Sequence, residues 1–166
     1  MLRALLTFVL VTMLMAAAAA NRPLAFTRLW THGHSTTGQV SEIPAFDATT
    51  NTIWVAGVVG VDVVDAATGA LVQRIDVTSY GFVNSVAIHG DLAAFAIEAG
   101  PPDRRNPGVV VFYDTRTRLP LGEPVIVGSL PDMLTFTHDG RRLLVANEGT
   151  PNVAADTAYL APDPPG

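Results

Sequence analysis

One pattern recurs along this chain and limits what it can fold into: two alternating apolar runs joined by a turn, a third run ending in Asp, another turn, and a fourth run. The segments SEIPAFDATTNTIWVAG, VNSVAIHGDLAAFAIEA and PDMLTFTHDGRRLLVANEG align with Ala45, Ala87 and Thr135 in register, at steps of 42 and 48 residues. In the first two units, GVDVVD ending at Asp65 and VVVFYD ending at Asp114 supply the third run, and LVQRIDV and PVIVG the fourth. Four short antiparallel strands in a repeat of roughly 40 to 50 residues is the signature of a β-propeller blade.

Val, Ile, Phe and Thr fill the runs while Gly, Pro, Asp and Asn separate them, and no helical period follows Ala20. The expected fold is therefore all-β: a β-propeller with about two and a half four-stranded blades of an incomplete ring, preceded by a signal peptide. The units fall at 41–80, 81–128 and 129–166, after a lead-in at 21–40. A β-sandwich is the alternative, but it has no reason to repeat this unit. The third unit has only its first two strands before the polar, Pro-rich TPNVAADTAYLAPDPPG. A ring closes with at least about four blades, so the expected partners are the remaining blades of a longer chain, and the unclosed piece is expected to aggregate through bare edges and faces.

The first twenty residues, MLRALLTFVLVTMLMAAAAA, place Arg3 before an apolar run that ends in small residues. This reads as a signal peptide cleaved after Ala20, against the alternative of an uncleaved anchor, and the mature part is expected to have no membrane span. Asp and Glu outnumber Lys and Arg by 15 to 10, with no basic run, which argues against nucleic acid as a partner. The lack of cysteine removes disulfides, thiolate metal sites and Cys nucleophiles.

The repeat places Glu42, Asn84 and Asp132 at one position, just before the first strand of successive blades, and the returning strands end near Glu98 and Asn147-Glu148. Six oxygen-bearing residues at one channel mouth would suit Ca²⁺, whereas turn-capping Asn and Asp with solvated Glu is the plainer account. In His32-Gly33-His34 the two imidazoles could share a metal, yet the Gly suggests a loop and no third ligand lies nearby in sequence. Asp62, Asp65 and Asp114 read as turn residues, and His89 and His138 as hairpin-turn residues. No G-x-S-x-G is present and no Ser stands beside an evident His base, so no catalytic residue is assigned. PPDRRNPG, at 101–108, reads as an inserted surface loop.

VGSLPDMLTFTHDGRRLLVANEGTPN, together with SEIPAFD, FVNSVAIHG and GVVVFYD in this order, resembles the choice-of-anchor I family of exported β-propeller proteins, related to YVTN-type surface-layer propellers. The likeness runs from about Leu29 to Asn152, departing at His138, where the family usually has Pro, and at Thr150, where it usually has an acidic residue. It implies export and attachment at the cell surface through varied C-terminal anchors. Some relatives carry alkaline phosphatase labels or fused phytase-like domains. The expected function is an exported binding or scaffolding module for a surface or extracellular ligand, with a metal-dependent phosphate-ester hydrolase as the alternative.

Overall fold

The computed structural model describes residues 24–34, 36–100 and 104–149; the signal-peptide reading at 1–20 and the connector from 150 onward lie outside them. Every regular element among the described residues is a β-strand, and no helix is long and apolar enough to cross a membrane. The first sheet holds β1 (Pro44–Asp47), β2 (Thr52–Gly57), β3 (Gly60–Asp65) and β4 (Leu71–Asp76). The second holds β5 (Phe82–His89), β6 (Leu92–Glu98), β7 (Pro107–Asp114) and β8 (Pro120–Ser129). A two-stranded third sheet pairs β9 (Pro131–Phe136) with β10 (Leu143–Asn147). Each sheet is an antiparallel meander in chain order, as the repeat requires.

The fourth strand of the second unit is longer than PVIVG suggests. It starts at Pro120, where Tyr113 pairs with Pro120 and Phe112 with Leu121, before a register shift lets Val110 pair with Val125. The extra residues include Gly122 at φ +68°, a left-handed conformation that Gly adopts without a Cβ clash.

Alternation within the strands sends successive side chains to opposite faces, and the three sheets stack through those faces. Trp54, Ala56, Val61, Val63 and Ile75 of the first sheet meet Val86, Ala93, Phe95, Ile97, Val111 and Tyr113 of the second. Phe95 stacks on Tyr113 at 4.8 Å between centroids and lies 6.0 Å from Trp54. From the other face of the second sheet, Ala94, Ala96 and Val110 meet Leu134, with Phe136, Leu143 and Val145 packed alongside. The central strand β6 is thus covered on both sides, which explains why LAAFAIE reads as an unbroken apolar run. Met133 and Leu144 point away from this second interface and are half exposed.

The turns after β3 and β7 are built alike. Asp65 Oδ1 accepts from the amides of Ala67 and Thr68 and from the Thr68 hydroxyl, at 2.8 to 3.0 Å. Asp114 Oδ1 does the same with the amides of Arg116 and Thr117 and the Thr117 hydroxyl, at 2.7 to 3.0 Å. These bonds hold both carboxyls below the usual carboxylate range: through the Thr68 hydroxyl first for Asp65, and through the Thr117 amide first for Asp114.

Two predictions follow from this architecture. Phe95→Ala opens a cavity at the centre of the first interface and should cost about 3–5 kcal/mol in urea unfolding, whereas Met133→Ala should cost less than about 1 kcal/mol. Because the folded pKa values of Asp65 and Asp114 are depressed, the stability they contribute is complete above the unfolded value of about 4 and is lost as pH falls through the folded values. Acid melts of the Thr68→Val, Thr117→Val double variant should therefore show a shallower loss of stability below about pH 4 than wild type.

Candidate functional site

The face of the first sheet that turns away from the second sheet is covered by the lead-in. Trp30 Nε1 donates to the Ala66 carbonyl at 3.0 Å, and its ring lies so close over Gly69 that a Cβ there would sit 2.6 Å from ring carbons. Further along, the buried Gln39 donates to the Gly60 carbonyl at 3.1 Å and accepts from Arg74 at 2.7 Å. The amide of Glu42 then donates to the Ala56 carbonyl at 2.8 Å as the chain enters β1. The lead-in consequently runs antiparallel to β3, from its Asp65 end to its Gly60 end, and carries two imidazoles across it.

Those imidazoles converge on one carboxylate. Asp62 sits between Val61 and Val63 on β3 but faces the lead-in, with its side chain 2% exposed. His34 Nδ1 lies 2.6 Å from Asp62 Oδ2, and His34 Nε2 lies 2.7 Å from Ser41 Oγ. His32 Nδ1 donates to the Gly69 carbonyl at 3.1 Å, which turns its Nε2 toward Asp62 Oδ2 at 3.5 Å. The other carboxylate oxygen has Arg74 Nη1 at 3.5 Å, within ion-pair range but making no hydrogen bond. His32 Nε2 and Asp62 Oδ1 are both buried and without a hydrogen-bond partner.

This geometry corrects three expectations. Asp62 is not a turn residue, because β3 continues past it to Asp65 and the strand alternation turns it outward. His32 and His34 do have a third potential ligand, supplied from 28 residues beyond His34 by the path of the lead-in. A Ser does stand against a His, since Ser41, His34 and Asp62 form a continuous hydrogen-bonded series. The sequence carried one signal for this: a carboxylate at the centre of the otherwise apolar GVDVV. Its two imidazole partners precede the first strand and belong to no repeat.

The six residues singled out from the repeat lie at one end of the three sheets, where β1, β5 and β9 begin and β6 and β10 finish. Bonds between sheets gather at that end: Ile43 N to Asn84 O at 3.5 Å, Val83 N to Val58 O at 2.9 Å, and Asn84 Nδ2 to Pro131 O at 3.2 Å. Glu42 and Glu148 are exposed, while Asn84, Asp132 and Asn147 are half-buried. Glu98 is buried and is held by Arg104 of the inserted loop through contacts of 2.6, 2.7 and 3.0 Å. Among the described residues, the group of three His, Asp or Glu side chains whose ligand atoms lie within 4.8 Å of one another is His32, His34 and Asp62; the four carboxylates at the sheet end form no such group.

The Glu98–Arg104 pair has a testable consequence. Removing Arg104 leaves a buried carboxylate uncompensated, although the Arg side chain is itself 53% exposed. Arg104→Ala should destabilise the chain by about 1–3 kcal/mol, and a double-mutant cycle with Glu98→Gln should recover part of that loss.

No curated protein matches the chain. The model of the choice-of-anchor I domain matches residues 42–166, so Asp62 lies inside the match whereas His32, His34 and Ser41 precede it. The match covers three quarters of the sequence and includes all ten strands, and the chain belongs to the choice-of-anchor I family.

Proposed function

We propose that the chain works at the cell surface as a binding or scaffolding module, with its sheets as successive blades of a propeller and its ligand surface at the sheet end that carries Glu42, Asn84, Asp132, Asn147 and Glu148. Family membership supports the surface location in general terms. The ligand surface rests on one observation: the bonds between sheets and the polar groups collect at the same end. Left-handed non-Gly backbone does not single this end out, since it occurs at the opposite end of the sheets too, at Asn51 (φ +54°) and Arg118 (φ +59°). At the ligand end Val58 and Leu130 adopt φ of +30° and +50°, in the connections that lead from β2 and from β8. Such backbone costs on the order of 1–3 kcal/mol per residue and persists where surrounding contacts impose it. The bonds between sheets at this end provide that constraint, and they fix the spacing of the polar side chains. Glu98 is excluded from the ligand set because Arg104 occupies its carboxylate.

The oxygen-rich character of the remaining five residues suits Ca²⁺ better than a softer ion. Calorimetric titration of Ca²⁺ into the purified chain should show binding that weakens in Asp132→Ala and Glu148→Ala. Identical heats and melting temperatures in all three proteins would remove calcium from this reading. Protease shaving of intact cells should release the chain, and the purified protein should not hydrolyse p-nitrophenyl phosphate above background. Turnover abolished by Asp132→Ala would replace the binding module with a phosphate-ester hydrolase.

A further inference from the structure

We propose that His32, His34 and Asp62 bind a divalent transition metal, with Zn²⁺ the ion they suit, and that the metal clips the lead-in at His32 and His34 to the outward face of the first sheet. Two imidazole nitrogens and one carboxylate oxygen form a borderline donor set that favours zinc over calcium or magnesium. The site is separate from the sheet-end surface and does not depend on that reading.

The hydrogen bonds around the trio orient it as metal ligands are oriented. A backbone carbonyl can only accept, so the His32 Nδ1 that faces Gly69 carries the hydrogen, and the Nε2 of the neutral ring presents a lone pair. That lone pair meets Asp62 Oδ2, another acceptor, at 3.5 Å. This arrangement calls for positive charge between the two buried groups, supplied either by a second proton on His32, which makes it an imidazolium paired with Asp62, or by a metal ion. A zinc ion at about 2.0–2.2 Å from each ligand sets neighbouring ligand atoms about 3.3 Å apart in a tetrahedron, close to this separation. The 2.6 Å between His34 Nδ1 and Asp62 Oδ2 would widen by roughly 0.7 Å to reach the same spacing.

The outer contacts are those a bound metal needs. With His34 Nδ1 on the metal, its Nε2–H donates to Ser41 Oγ, as His32 Nδ1–H donates to Gly69. Asp62 would bind through Oδ2 alone, leaving Oδ1 to Arg74, the charged group that faces it from β4. Gln39 in turn holds that guanidinium at 2.7 Å. The His side chains are 14% and 11% exposed, which leaves an approach for the ion and for water as a fourth ligand.

The same atoms also admit a Ser41–His34–Asp62 nucleophile relay. That arrangement gives no role to His32, whose Nε2 remains buried and unpartnered, so the metal accounts for more of the geometry.

The test uses the purified chain stripped with chelator. One Zn²⁺ per chain should be retained after dialysis, and Co²⁺ should give the visible absorption of a tetrahedral N/O site. His32→Ala and Asp62→Asn should each weaken binding at least about 100-fold and Ser41→Ala about 10-fold, with the exposed His138→Ala unchanged as a control for adventitious sites. Should Asp62→Asn fail to fold, His32→Ala remains informative, because His32 lies outside every strand. Zinc should also slow tryptic cleavage at the exposed Arg28, and chelator should restore it. Absence of retained zinc, or retention unchanged in His32→Ala, overturns the proposal. Fluorophosphonate labelling of Ser41 in a chain that binds no zinc would put the relay in its place.

Discussion

The fold depends on covering both faces of its central strands. A β-strand presents half its side chains to each side, and β3 and β6 are buried at every position but one. The first and third sheets cover β6 from either side. For β3, the second sheet takes Val61 and Val63, and only the lead-in is available to cover the face with Asp62 and Val64. The lead-in is irregular in structure, yet without it a carboxylate and an apolar stripe would lie open on the first sheet.

That burial explains why charged and titratable groups concentrate where they do. Asp47 and Asp62 are both essentially inaccessible, but their surroundings differ. Asp47 is satisfied by its own turn, through the Thr49 amide at 2.8 Å and the Thr50 hydroxyl at 2.5 Å, and Thr52 and Trp54 extend the network. Asp62 stands in mid-strand, where the neighbouring amides are spent on the sheet, and its compensation must come from side chains. His34 supplies it from the lead-in and Arg74 from β4. The polar cluster is therefore the condition on which β3 can be buried on its outer face, and it also fixes the register of the lead-in.

The strands were legible because their periodicity is local. Ala45, Ala87 and Thr135, aligned by spacing alone, all fall in the first strand of their sheets, and the Asp65 and Asp114 turns have the side-chain-to-backbone bonds expected of them. The shared end of Glu42, Asn84 and Asp132 follows from the same register. Less visible was whatever depends on a non-repeating segment meeting a repeating one. Asp62 occupies a position that alternation assigns to a sheet face, but alternation does not say what covers that face. The fate of Glu98 was hidden for a similar reason, since Arg104 reaches it from a loop without periodicity.

The two outer faces of the stack are not equivalent, and this bears on how blades could be added. The outward face of the third sheet leaves Met133 and Leu144 half exposed, which suits direct packing against another sheet. The outward face of the first sheet is already occupied by Trp30, His32, His34 and Gln39. On the ring reading, a last blade would meet this lead-in and not the bare strands β2 and β3. Sheet faces pack about 10 Å apart, so a layer of irregular chain between the first and last blades must widen that junction or move aside. The hold of the first sheet on its lead-in, centred on Asp62, thereby decides which of the two a closing ring would encounter.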